Sequence, residues 1–506
     1  MPYNRNYSRN YNRPVAPAPA VERNWSVQQQ AIFEEFASGT ENVEVLALAG
    51  TGKTTTILVG IERAPERKIL LAAFNNIIAG ELKSRLRNPR AEAKTLHALG
   101  NAIIRAHWGN VDLDKVGERG KRLARQAAFE TVGAHAPFPA ITLIKQLASK
   151  GKGICPADTT VEDLIDVAVE FNLAPGWQIE EEGWDIETIA RATLRAMDLA
   201  TRNEGVIDFD DMIFIPVRLG LANPMYDLVV IDEAQDMNAA QLSLAQSVVT
   251  KNGRIFVVGD SHQAIYGFRG ADSGCMARLA TELKAKILPL TVTYRCGARI
   301  VDEARRLVPE FESAPDAFPG EVALCSEHKM FAAAQGGDFI LSRKNAPLGP
   351  LCLAFLREGR PAMIRGKDIG RGLVSLIRKI DATDLPGLFH GLDEWANKMI
   401  ESIVAKATDN EIDQAKVAFI SDQAETIKAL AEGASDPAEV SSRLENLFSD
   451  EVAAGKIILS SVHKAKGLEA DTVYLLKDTF RSDEGEEGNI KYVAITRAKR
   501  RLVWVE

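Results

Sequence analysis

Cysteine is scarce in this sequence, and its spacing excludes two common kinds of site. The 506 residues include five cysteines, and no two of them have the spacing of a zinc site or of a redox pair. No apolar run is long enough to span a bilayer, and the amino terminus lacks the apolar segment of a signal peptide. We therefore expect reduced thiols and a cytoplasmic protein with no membrane partner.

The net charge is −8, so the chain has no overall excess of basic residues. An acidic protein can bind nucleic acid only through a locally basic surface, and this charge neither supports nor excludes such a partner. Hydrophobic residues make up 46% of the chain, enough for well-filled cores. The length corresponds to roughly three to four domains.

The amino-terminal segment, residues 1–24, differs in composition from the rest. It is rich in Asn, Arg and Tyr, then in Ala and Pro, and it is poor in aliphatic residues. Such a composition predicts a disordered leader. Its Arg and Tyr side chains could contact nucleic acid or a protein partner, and a merely solvated leader is an equally good interpretation.

A phosphate-binding loop follows the first predicted strand, Val43–Leu48. Glycines in such a loop let backbone N–H groups surround phosphate oxygens, a lysine neutralises charge, and a hydroxyl binds Mg²⁺. Ala47 stands where the pattern usually begins with glycine. The predicted nucleotide-binding residues of the loop are Ala49, Gly50, Thr51, Gly52, Lys53, Thr54 and Thr55.

Two acidic residues end the apolar strand Leu228–Ile231. Asp232 suits a hydrated Mg²⁺, and Glu233 suits the base that takes a proton from attacking water. Apolar strands that end in two acids are common, so this pair gains its meaning from the upstream loop and from arginines far downstream.

A third strand, Arg254–Val258, leads to Gln263, which in this position can sense a γ-phosphate. Tyr266 and Phe268 follow, and they could stack on bases. The alternative is that both rings pack under the loop, which is the better interpretation of these residues by themselves. Residues 100–205 read as mostly helical and contain no chemical motif.

The order and wording of these segments resemble the UvrD/Rep family of superfamily 1A DNA helicases over nearly all of residues 25–506. The most specific segments are Ile231–Asp236, Gly259–Ala271, His463–Glu469 and Tyr492–Arg497. The resemblance implies an α/β fold with two RecA-like P-loop NTPase domains, which have parallel sheets and are each interrupted by a mainly helical insertion. We expect the first domain at 25–99 and 206–287, its insertion at 100–205, the second domain at 288–385 and 451–506, and its insertion at 386–450.

The resemblance also implies roles at the ATP site. Catalytic roles fall to Lys53, Glu233, Gln263 and two arginine fingers, Arg295 and Arg497. Thr54 and Asp232 would hold Mg²⁺. Gln29, or Gln28 if the register slips by one, would read the adenine; Tyr294 would stack on it, and Glu469 would approach the ribose or the phosphates.

Further roles concern single-stranded DNA. Aromatic residues would stack on bases and polar residues would follow the backbone, and for Tyr266 and Phe268 the resemblance reverses the preference for packing. The implied DNA-binding residues are Phe74, Thr95, His97, Tyr266, Phe268, His463 and Lys464.

Some positions depart from the family pattern. Phe268 replaces a tryptophan, Asn489 replaces a common arginine and weakens any contact there, and Asn75 replaces a threonine and receives no role. The second-half insertion is much smaller than in the large bacterial members, where it regulates unwinding.

The sequence thus predicts an ATP- and Mg²⁺-dependent helicase or translocase on single-stranded and tailed duplex DNA, with 3′→5′ travel. Alternatives are a translocase that strips proteins from DNA, a DNA-sensing ATPase subunit of a nuclease complex, and an RNA helicase.

Overall fold

The computed structural model describes residues 24–73, 75–133, 135–171, 173, 175, 177–265, 275–405, 414–449 and 455–506. Apart from Asn24, the predicted disordered leader lies outside these residues. Within them, no helix combines the length and the apolarity that crossing a membrane requires.

The first domain starts with alternating helices and short apolar strands. Ser26 caps the first helix through reciprocal hydrogen bonds with Gln29, and Thr95 caps the last helix of this set through Ala98 N–H. In chain order the elements are α1 (Val27–Ser38), β1 (Val43–Ala47), α2 (Lys53–Arg63), β2 (Ile69–Ala73), α3 (Asn76–Arg85), β3 (Ala91–Thr95) and α4 (Leu96–Trp108).

A helical insertion follows, and a two-stranded parallel ladder closes its base. Its helices share an apolar core that extends from Ile104 to Ile215 in sequence. Its elements are β4 (Asp112–Leu113), α5 (Glu118–Val132), α6 (Phe138–Ile154), α7 (Val161–Glu170), α8 (Trp177–Glu180), α9 (Ile186–Ala200) and β5 (Val206–Ile207).

The chain then returns to the first domain and completes a six-stranded sheet, in the order β3-β2-β6-β7-β1-β8, in which all neighbours are parallel. The returning elements are α10 (Asp211–Arg218), β6 (Tyr226–Ile231), α11 (Ala239–Ser247), β7 (Val249–Gly259), α12 (Cys275–Leu283) and β8 (Lys286–Leu290). Because β8 pairs with β1, the first domain extends to Leu290 and does not end at residue 287 as the sequence suggested.

The second domain has a seven-stranded parallel sheet, in the order β11-β17-β16-β12-β15-β13-β14. The elements before its insertion are β9 (Val292–Thr293), α13 (Ala298–Arg305), β10 (Glu312–Ser313), β11 (Glu321–Cys325), α14 (Glu327–Ala333), β12 (Phe339–Ser342), α15 (Leu348–Arg357), β13 (Ala362–Arg365) and α16 (Lys367–Ile380). The insertion and the elements after it are α17 (Leu385–Ala405), α18 (Gln414–Leu430), α19 (Pro437–Leu447), β14 (Phe448–Ser449), β15 (Ile457–Ser461), α20 (Val462–Ala465), β16 (Ala470–Leu476), α21 (Gly485–Ile495) and β17 (Ala498–Val505).

The second insertion packs into the core of its domain. Leu392 of α17, Ile427 of α18 and Leu444 of α19 are fully buried in one cluster with Leu348 and Ile364 of the domain itself. Asp422 of α18 also accepts hydrogen bonds from the backbone N–H groups of the residues that follow β12. The insertion is therefore a fixed part of the second domain.

Glu44 is an unusual polar residue inside the first sheet. Val43, Val45 and Ala47 pack into one core cluster, so the alternation of a strand puts Glu44 on the opposite face. The residue is only 2% exposed, and its Oε1 has no hydrogen-bond partner among the described residues. Burial raises the pKa of Glu44 from 4.5 to about 7.

Candidate active site between the two domains

The phosphate loop lies between β1 and α2 and adopts a backbone shape that requires glycine. Gly50 and Gly52 have φ values of 71° and 82°, in the left-handed region. A Cβ atom on Gly50 would also lie 2.5 Å from Cβ of Arg295. The loop therefore turns tightly against a segment that leads into the second domain, and Lys53 and Thr54 open α2 beside it.

Lys53 and Glu233 form an ion pair, with 3.0 Å between Nζ and Oε2. Burial by itself would raise the pKa of Glu233, but the charge of Lys53 and the amide of Gln235 outweigh it and lower the pKa to about 2. Burial would lower the pKa of Lys53, and the carboxylates of Glu233, Asp260 and Asp232 raise it instead. Both side chains are therefore held charged at the phosphate loop.

Asp232 lies at the end of β6 and is 3% exposed. Burial, followed by the charge of Glu233, raises the pKa of Asp232 to about 7. Keeping a buried carboxylate charged beside a second carboxylate costs free energy, and a bound divalent cation would offset that cost. Within the described residues, no group of three or more His, Cys, Asp or Glu side chains could hold a metal ion. The chemistry of the Asp232 carboxylate and the Thr54 hydroxyl, both oxygen donors, suits Mg²⁺.

A chain of hydrogen bonds leads from Glu233 to the Gln263 loop. The amide of Gln235 donates to Oε2 of Glu233 at 2.6 Å, and its Oε1 accepts from the backbone N–H of Asp260 at 3.0 Å. Asp260 accepts from Nε2 of Gln263 at 2.7 Å. Gln235 and Asp260 received no role from the sequence, although both belong to the motifs quoted above; their contact appears only when β6 and β7 lie side by side.

Lys466 continues this chain into the second domain. Its Nζ donates to the carbonyl of Gln263 at 2.7 Å and to Oδ2 of Asp236 at 2.7 Å. The side chains of Lys466 and Asp236 are 9% and 5% exposed. The ion pair therefore joins the carboxylate motif of one domain to the His463–Glu469 motif of the other at a dry interface.

The two predicted arginine fingers have different surroundings. Nε of Arg295 pairs with Oε2 of Glu469 at 2.7 Å, next to Gly50. Arg497 is buried and donates to the carbonyl groups of Val493 and Leu468. Burial and the nearby charge of Arg295 lower the pKa of Arg497 to about 10.

Two further residues of α21 contact the first domain. The hydroxyl oxygen of Tyr492 accepts a hydrogen bond from the backbone N–H of Ala49 at 3.0 Å. The amide of Asn489 donates to the carbonyl groups of Ser261 and Ala264 at 3.4 and 3.2 Å. Asn489, which stands where arginine is common in the family, therefore contacts the backbone of the first domain.

Tyr294, which is predicted to stack on adenine, is 49% exposed, and its backbone N–H donates to the carbonyl of Gly50. Gln29 is buried and donates to Oγ1 of Thr56 at 3.1 Å. The amide of Gln28 donates to Oγ1 of Thr291 at 2.8 Å. Each amide keeps a second N–H group and a further lone pair on its oxygen, so either glutamine could hold its present bonds and still bind adenine.

On the predicted DNA side, the ring of His97 stacks on Phe209 with centroids 4.0 Å apart. Burial lowers the pKa of His97 to about 4, so its ring is neutral at neutral pH. Phe209 is 56% exposed and had received no role from the sequence; its position between Asp208 and Asp210 is the signal that could have drawn attention to it. Thr95 caps α4 beside His97.

The other predicted DNA contacts divide into two groups. His463 and Lys464 lie on α20, directly after β15, and both are partly exposed. Phe74, Tyr266 and Phe268 lie outside the described residues, so their contacts stay predictions.

Comparison with known families identifies the family of this chain. A family profile described as the UvrD/REP helicase N-terminal domain matches residues 25–284, more than half of the chain. This chain belongs to the UvrD/Rep helicase family. A second profile, described as the UvrD-like helicase C-terminal domain, matches residues 403–505. The predicted family and the predicted fold of two RecA-like domains are thus confirmed.

Individual UvrD/Rep relatives are similar over different extents. F-box DNA helicase protein 1 of Schizosaccharomyces pombe is 26% identical over 94% of this chain and 57% of its own length. DNA helicase II of Escherichia coli is 24% identical over 54% of this chain and 39% of its own length. ATP-dependent DNA helicase Rep of the same organism is 27% identical over 56% and 42%. The chain therefore spans about half the length of the curated relatives it matches, or less.

Proposed function

We propose that this protein is an ATP-dependent motor that moves 3′→5′ along single-stranded DNA and separates the strands of tailed duplexes. The observation that supports this most is the continuous set of contacts from Lys53 and Glu233 through Gln263 to Lys466. It joins the phosphate loop to both halves of the protein, as a motor needs if ATP turnover is to move one domain against the other.

ATP would bind between the phosphate loop and Arg295, with its phosphates at the backbone N–H groups of the loop. Lys53 would then leave Glu233 for the phosphates, and Glu233 would be available to accept the proton of the attacking water. Mg²⁺, held by Thr54 and Asp232, would supply charge neutralisation at the phosphates. Arg295 and Arg497 would stabilise the charge of the transition state.

DNA would lie along the surface that carries His97 and the exposed ring of Phe209, and continue to His463 and Lys464. Aromatic rings bind bases of any sequence by stacking, which suits a motor that must step along a strand. Phe209 extends the stacking set that the sequence assigned to Phe74, Tyr266 and Phe268.

Strand displacement tests the proposal. The purified chain, with ATP and Mg²⁺, is mixed with duplexes that carry a 3′ or a 5′ single-stranded tail, and Glu233→Gln serves as the matched inactive control. We expect opening of the 3′-tailed duplex only. Opening from the 5′ tail alone would overturn the polarity.

A parallel ATPase assay with DNA and RNA oligomers separates the alternatives. Stimulation by DNA without strand opening would favour a translocase that removes proteins, or a DNA-sensing subunit that needs a partner. Stimulation by RNA in preference to DNA would contradict the DNA motor itself.

A further inference from the structure

The exposed ring of Phe209 is carried by a turn that closes on itself. The backbone N–H of Asp211 donates to Oδ1 of Asp208 at 2.8 Å, and the backbone N–H of Asp208 donates to Oδ2 of Asp211 at 3.0 Å. Phe209 and Asp210 are the two residues enclosed by these reciprocal bonds. The direction of the Phe209 ring therefore depends on the two carboxylates that close the turn.

Both carboxylates are held by cations from the helical insertion. Nζ of Lys152, on α6, lies 2.7 Å from Oδ1 of Asp211 and 2.9 Å from Oδ2 of Asp208. Nε of Arg119, on α5, lies 3.1 Å from Oδ2 of Asp211. Asp211 is completely buried, and Lys152 is 5% exposed. The insertion thus holds the Asp208–Asp211 turn through a buried cluster of ion pairs, and no sequence motif predicted this cluster.

Lys152 and Asp211 are held charged in spite of their burial. Burial would lower the pKa of Lys152, but Asp211 and Asp208 raise it above its usual value. Burial would likewise raise the pKa of Asp211, and the charges of Lys152 and Arg119 lower it instead. Removing one partner of such a cluster leaves a buried charge uncompensated, which is costly. Loss of Lys152 would remove the ion pair of Asp208 and one of the two cations paired with Asp211.

We propose that Lys152, supported by Arg119, is a positioning residue for DNA binding: it holds the Asp208–Asp211 turn so that Phe209 stays stacked on His97 and presents its ring to single-stranded DNA. Lys152 itself is too buried to touch DNA, so its effect passes through the turn. The inference rests on the proposed function, because it assigns the insertion a part in the same DNA-binding surface.

The variant Lys152→Met removes the charge and keeps much of the side-chain volume. Lys145→Met is the matched control, since Lys145 lines the same cavity of about 340 Å³ but its amino group donates to the carbonyl of Gly117, whereas that of Lys152 pairs with Asp208 and Asp211. We expect the Kd for a fluorescent single-stranded oligonucleotide to rise roughly tenfold in Lys152→Met, within the range of losing one base–aromatic stack. Lys145→Met should bind like the parent protein.

A double-mutant cycle with Phe209→Ala distinguishes positioning from a general loss of structure. If Lys152 acts through Phe209, Lys152→Met should weaken binding by less than about twofold once Phe209 is already alanine. Multiplicative effects, a normal Kd in Lys152→Met, or a normal Kd in Phe209→Ala would each overturn the inference.

Failure of the proposed function and failure of the Lys152→Met variant to fold are separate cases. If the ATPase of the parent protein is not stimulated by single-stranded DNA, the proposed function fails and this inference with it.

If Lys152→Met does not fold, Ser149→Ala takes its place: exposed Ser149 on α6 donates to Asp210 in the same turn. We expect that variant to bind DNA more weakly by about twofold to threefold, the size of a single hydrogen bond lost at the surface; unchanged binding would overturn the inference.

Discussion

Replacing Glu44 with glutamine should stabilise the protein, and increasingly so as the pH rises. The carboxyl group is buried in β1 and its pKa is raised from 4.5 to about 7, so the folded state favours the neutral, protonated form. The stability associated with this form is fully present below pH 4.5 and is lost as the pH rises through about 7. Glutamine resembles the protonated form at every pH.

The size of the effect follows from the two pKa values. A shift from 4.5 to about 7 lowers the free energy of unfolding by about 3 kcal/mol above pH 8. At pH 5 the carboxyl group is largely protonated in the folded state, and the same linkage lowers the free energy of unfolding by only about 1 kcal/mol. Glu44→Gln should therefore gain about 2 kcal/mol more at pH 8 than at pH 5.

Thermal unfolding at a series of pH values measures this gain. For a domain of this size, 1 kcal/mol corresponds to about 2 °C in Tm. Exposed Glu41 provides the matched control, because Glu41→Gln removes the same charge outside the sheet. A Tm difference between Glu44→Gln and the parent protein that stays constant with pH, or a loss of stability at pH 8, would refute the reasoning.

Three other changes test the contacts of the ATP site. Glu233→Gln should lower the DNA-stimulated kcat by about 10²–10⁴-fold through loss of the base, in a steady-state ATPase assay; near-normal turnover would contradict this role. Lys466→Met should destabilise the protein by about 3–5 kcal/mol, because it leaves the buried carboxylate of Asp236 without its ion-pair partner. Adding Asp236→Asn should recover part of that loss in thermal unfolding, and no recovery would count against the pair. Tyr492→Phe should cost about 1–3 kcal/mol by leaving the N–H of Ala49 without its acceptor, and an unchanged Tm would contradict the importance of that bond.

The sequence predicted the strands of the two sheets well because they are short apolar runs followed by polar loops. The prediction Val43–Leu48 differs from β1 by one residue, and the predicted strand Leu228–Ile231 differs from β6 by two. Lys53 follows β1, and Asp232 and Glu233 follow β6, which lies two strands from β1 in the same parallel sheet. Local pattern was sufficient here because a parallel sheet brings the carboxyl ends of its strands to one edge.

Contacts between distant segments could not be predicted in the same way. Nothing in the sequence pairs Tyr492 with Ala49, since the bond joins an ordinary tyrosine to a backbone N–H group 443 residues away. Lys152 lies in the segment that showed no chemical motif, Asp211 lies just after it, and the two pair where α6 packs near the start of α10. Asn489 stands where an arginine is common in the family, which weakened the expectation of a contact there, whereas its amide donates to two carbonyl groups across the interface.

The docking of α17, α18 and α19 has a consequence for protein engineering. Trimming this insertion to obtain a minimal motor would strip apolar cover from the second domain, since Leu392, Ile427 and Leu444 share its core. Each such side chain is worth about 1.5–3 kcal/mol when buried, so the exposed face would promote aggregation and unfolding. A shortened version would need polar replacements on the facing residues of α15 and α16, designed together with the deletion.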